Sequence, residues 1–73
     1  MCRVKMEETF CELLEKAIID EKEAIEGYEK FKEAEDLSPL DRSLIFRGNI
    51  LPIIKDEEKH LNILKDIKSE VCK

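Results

Sequence analysis

Apolar residues recur along this chain at alternating steps of three and four, the spacing of one face of a helix. Phe10, Leu14, Ala17, Ala24, Tyr28 and Phe31 follow it in the first half, with no proline and a single glycine between Met6 and Glu35. The pattern predicts one long helix over about residues 6–35. Leu13, Ile18 and Ile25 widen its stripe beyond a two-stranded seam, as a helix with more than one neighbour requires. Ile50, Ile53, Glu57, His60, Leu64, Ile67 and Val71 form the matching series in the second half, broadened by Leu40, Leu44, Leu51, Ile54 and Leu61. A second helix over about residues 39–71 follows. Between the two, Asp36-Leu37-Ser38-Pro39 supplies the break: Ser38 can cap, Pro39 fits the first helical position, and Asp41 stands where a capping box needs an acid. Pro52 lacks a backbone N–H and crowds the carbonyl of Gly48, so a bend is expected there within a continuing helix.

Two helices of similar length joined by a short connection imply one all-α domain over residues 1–73, an antiparallel hairpin. With 73 residues, a lone hairpin buries too little apolar surface to offset its conformational entropy, so at least a homodimer, forming a four-helix bundle, is expected. The net charge of −5 disfavours nucleic acid and anionic membrane as partners and suits cations. The longest apolar run is Ile50-Leu51-Pro52-Ile53-Ile54, and Met1-Cys2-Arg3-Val4-Lys5-Met6 has no signal-peptide core, which points to a cytoplasmic protein. Cys2, Cys11 and Cys72 contain no Cys-x-x-Cys, so reduced thiols are the expectation. The hairpin places Cys2 and Cys72 at the same end, where a bridge within or between chains is geometrically open to them.

Three polar residues interrupt the apolar series: Glu21 in the first helix, Glu57 and His60 in the second. An ionised group in a core costs several kcal/mol unless paired, hydrogen-bonded or bound to a metal, and side chains three apart on a helix share a side. Glu57 and His60 can therefore grip one ion. On ideal helices Glu21 lies about 14 residues before the first helix's end and Glu57 about 18 after the second's start, a height difference of ~6 Å. A twofold dimer would turn four glutamates and two histidines inward, and two divalent ions would balance four carboxylates. Oxygen donors with one nitrogen per metal suit iron or manganese, and zinc fits the same set. Tyr28, two turns beyond Glu21, either orients a ligand carboxylate or satisfies itself in the core. Asp20, Glu23, Asp56 and Glu58 either lead cations inward or form a solvated flank. A buried Glu–His pair that only fixes helix register is the alternative to metal.

Glu21-Lys22-Glu23-Ala24-Ile25-Glu26-Gly27-Tyr28 together with Asp56-Glu57-Glu58-Lys59-His60 resembles the ferritin-like superfamily, specifically rubrerythrin-type half-bundles and encapsulated ferritins. The resemblance implies a dimeric four-helix bundle holding two irons between subunits, with Glu21, Glu57 and His60 as ligands and Tyr28 beside them. It also implies oxidation of Fe(II) by oxygen, or peroxide reduction, in iron handling or oxidative stress. The chain departs from the pattern in a longer separation between Glu21 and Glu57 and in Pro52. Lys68-Ser69-Glu70-Val71-Cys72-Lys73 is no clear tail for loading into an encapsulin nanocompartment. Without a four-cysteine rubredoxin segment, electrons for peroxide reduction would come from another protein. A structural or regulatory hairpin dimer, and a metal store or sensor without turnover, are the other functions considered.

Overall fold

The computed structural model describes residues 8–72, all of whose regular structure is helical. The first helix, α1 (Phe10–Glu29), starts later than residue 6 because Thr9 and Glu12 close a capping box. The Glu12 N–H donates to the Thr9 hydroxyl at 3.1 Å and the Thr9 N–H to the Glu12 carboxylate at 2.9 Å, which satisfies two donors a helix start otherwise leaves free. At its other end α1 tightens into a 3-10 turn, Lys30–Glu33, and Ala34 turns extended, short of the expected end at residue 35.

Helix α2 (Pro39–Ile45) is capped by Ser38, whose hydroxyl accepts from the Asp41 N–H at 3.2 Å, with proline in its first turn. The expected second helix runs without a break from Pro39 to Val71 and holds a π turn at Phe46–Ile50 between α2 and α3 (Leu51–Val71). Pro52 is the physical reason for that turn. It has no N–H to offer and its ring crowds the Gly48 carbonyl, so the bonding slips to the wider spacing in which the Leu51 N–H reaches Phe46 O. The widened turn re-aims α3 without breaking the helical path.

Helix α1 packs along α3, and α2 lies against the 3-10 turn instead of running beside α1. The Lys32 ammonium sits 5.3 Å from the Phe46 ring centroid, the Tyr28 and Phe31 rings are 6.3 Å apart, and the Arg42 guanidinium donates to the Ala34 carbonyl. The inner series, Cys11, Leu14, Ile18, Glu21 and Ile25 on α1 and Ile54, Glu57, Leu61, Leu64 and Lys68 on α3 with Cys72 at its cap, is buried or half-buried throughout. Leu14, Ile18 and Ile54 are the buried core among the described residues. Lys68 pairs with Glu15 across the two helices.

A disulfide joins Cys11 to Cys72, with Cα atoms 5.9 Å apart. This corrects the expectation of reduced thiols and gives Cys72 a partner other than Cys2, which lies outside the described residues. Cys11 and Cys72 are the end members of the two facing series, so packing brings them together. Closing a loop with a sequence separation of 61 removes unfolded-chain entropy worth about 4 kcal/mol in the chain-entropy account. With three buried side chains among the described residues, that is a large share of what holds the helices together.

The molecule is 14 Å thick along its shortest axis, one layer of helices. Both broad faces consequently lie open, and one of them is the more apolar. It carries Phe10 and Leu13 from α1, Phe31 from the 3-10 turn, and Ile53 and Val71 from α3, all exposed. No helix among the described residues is long and apolar enough to cross a membrane.

Candidate metal centre

Glu21, Glu57 and His60 meet. One ligand atom from each lies within 4.8 Å of the others; His60 Nδ1 is 3.3 Å from Glu57 Oε1 and 3.7 Å from Glu21 Oε2. Glu57 and His60 stand three apart on α3, which puts both side chains over one turn. Glu21 comes from α1, in the inter-helix series one step beyond the buried Ile18. The ~6 Å mismatch expected on ideal helices is absent because α2 is no part of the packed pair. Counted from the end of α1 at Glu29 and the start of α3 at Leu51, Glu21 and Glu57 lie eight and six residues in, a difference of about 3 Å.

Exposure separates the three. The Glu21 and Glu57 side chains are 22% and 20% exposed, but that of His60 is 61%. The expectation that the histidine sits on a buried seam fails for the single hairpin: His60 belongs to the outer series with Ile53 and Val71, which nothing in one chain covers. Glu57 lies at the boundary of the inner and outer series.

Glu21 Oε2 is closed off from solvent and has no hydrogen-bond partner. Burial, then the adjacent Glu57 carboxylate, raises the Glu21 pKa above the ordinary carboxylate range; His60 opposes the rise and Asp20 adds to it. A desolvated carboxylate oxygen left unbonded beside a second carboxylate is costly in an empty site and is what a cation would satisfy. Two carboxylates and one imidazole on rigid helices are also a donor set for a divalent transition metal. The residues present therefore fit a metal.

Tyr28 is half-buried and packs against Phe31; among the described residues no hydrogen bond joins its hydroxyl to Glu21 or Glu57. The feature missed from the sequence is Cys11. Its signal was the series Cys11, Leu14, Ile18, Glu21 and Ile25, one step round α1 from the outer series. No protein-family model matches the chain, and neither a curated protein nor a solved structure does so.

Proposed function

We propose that two copies of this chain pack outer face to outer face into a ferritin-like four-helix bundle, and that Glu21, Glu57 and His60 of each copy together hold two iron ions. The observation that carries it is the convergence of three ligand atoms within 4.8 Å around a carboxylate oxygen that has no partner. The more apolar of the open faces supports the dimer. His60 lies on that face among Leu13, Ile53 and Val71, so a second hairpin laid against it would bury the imidazole and the apolar residues at once. Glu21 and Glu57 supply negative charge and oxygen donors, and His60 supplies a terminal nitrogen to each metal. Bound iron would supply the redox chemistry, Fe(II) oxidation by oxygen or peroxide. Manganese or zinc fits the same donors.

The rival is a structural hairpin dimer in which Glu57 and His60 only set register. The Glu21 oxygen that has no partner weighs against it, since a Glu–His pair kept only for register gives no reason to leave a further buried carboxylate oxygen unbonded beside it. Apo-protein titrated anaerobically with Fe(II) is expected to take up about one ion per chain and to develop a ferric absorption band in air. A Glu57→Ala or His60→Ala variant that loads and oxidises iron like the parent overturns the assignment. Oxygen consumption during loading separates turnover from storage or sensing.

A further inference from the structure

The Cys11–Cys72 bridge is chemically asymmetric. Cys72 lines a cleft of about 300 Å³ with Glu15, Ile18, Lys22, Lys65, Lys68 and Ser69. Three lysines thus line the cleft with Cys72, and Glu15 pairs with Lys68, which leaves Lys22 and Lys65 as its net positive charge. Cys11 is not part of that cleft; it is the second residue of α1. The cleft therefore meets the bridge at Cys72 and not at Cys11.

From this arrangement we propose that the bridge is a thiol–disulfide exchange site, opened by an anionic thiol that enters through the lysine cleft and attacks Cys72 Sγ. The incoming thiolate forms an S–S bond to Cys72. The Cys11–Cys72 bond breaks, and Cys11 departs with the electron pair as a thiolate that takes a proton. A second thiol of the reductant then displaces Cys72 as a thiol and leaves as the reductant's disulfide. Two electrons pass from two thiols to the bridge.

Opening the bridge also reaches the candidate metal centre, a consequence that rests on the function proposed above. The same two helices carry both features, and the bridged cysteines end the packing series that places Glu21 against Glu57 and His60. Three buried side chains are left to hold that series when the clasp is open, so the ligands disperse over more conformations and bind metal more weakly.

The test uses the full chain with Cys2→Ser, so that the bridge cysteines are its only thiols. Native protein exposed to glutathione is expected to form a mixed disulfide on Cys72, located by peptide mass. Lys65→Glu should slow that reaction several-fold at low salt and leave the reaction with neutral 2-mercaptoethanol unchanged. An adduct on Cys11, equal effects on both thiols, or a bridge that opens only in denaturant overturns the exchange site. The second measurement is Mn(II) affinity, a probe for which thiolates compete poorly. Affinity should fall about tenfold on reduction, in keeping with coupling energies of this kind. Equal Mn(II) binding in both redox states overturns the coupling while the metal centre stands. Absence of Mn(II) binding in either state removes coupling and metal centre together and leaves the exchange result intact.

Discussion

Glu21 on α1 and His60 on α3 approach to 3.7 Å, Oε2 to Nδ1, so one hairpin by itself brings donors from both of its helices to a common point. The approach is too long for a good hydrogen bond, and the Glu21 oxygen takes no other partner. A gap of this kind suits an ion between the two atoms better than it suits a direct contact. Metal should therefore stabilise the fold measurably. At a free metal concentration 100 times the dissociation constant, linkage gives about 2.7 kcal/mol, and chelation should lower the thermal midpoint correspondingly. In His60→Ala the chelator-dependent difference should shrink towards zero in calorimetry.

Empty, the same site is a liability. The raised pKa of Glu21, from burial first and Glu57 second, means that the folded apo-protein binds its proton more tightly than the unfolded chain does. Apo stability should then be greatest below the ordinary glutamate pKa of about 4.3 as far as this group is concerned, and fall as pH rises from there through the higher folded-state pKa. Glu21→Gln cannot ionise, so it should flatten that part of the profile and melt above the parent at neutral pH. Thermal midpoints of chelated parent and variant across a pH series check both the slope and its sign.

Much of this was legible in the sequence, and what escaped has a common physical cause. Ser38, Pro39 and Asp41 announced the second helix start because capping is local chemistry, and Glu21, Glu57 and His60 stood out because charge interrupts an apolar series. The assignment of the seam was displaced by one step. Ile53 and His60 were expected beside Glu57 in the core, yet Ile54 and Leu61 face α1. An apolar arc wide enough for two neighbours does not encode which neighbour lies inside the chain and which is supplied from outside. Cys11 escaped for the same reason, since it belongs to the inner series. The π turn follows from Pro52, but a proline sets only the missing bond, and the choice between a kink and a widened turn depends on how α3 must pack.

The inner series depends most on Ile54, the least exposed core residue at 3%. Ile54→Ala removes three carbons from a core of three side chains that has few neighbours to collapse inward. A loss of about 3 kcal/mol is expected for such a truncation. Because Ile54 lies one turn from Glu57, metal binding should weaken as well, since the cavity loosens the turn that holds the Glu57 carboxylate in place. Denaturant melts with the bridge intact give the stability, and metal titration below the melting range gives the affinity.

The outer series makes a different kind of prediction, one that concerns mass and not stability. Leu13 and Ile19 are nearly equally exposed on α1, at 50% and 47%, but six residues place them about 120° apart around the helix. Leu13 lies on the face that carries His60; Ile19 lies on the opposite side of the hairpin. A glutamate at either position adds the same charge to the same helix at similar exposure, so differences between the two variants report what covers each face. Leu13→Glu should shift the protein to monomer in sedimentation, because a buried unpaired charge in a dimer interface costs several kcal/mol, and iron uptake should fall with it. Ile19→Glu should leave both mass and uptake as in the parent. The reverse result would put the second copy on the other face, away from Glu21, Glu57 and His60, and would leave the centre to function with the donors of one chain.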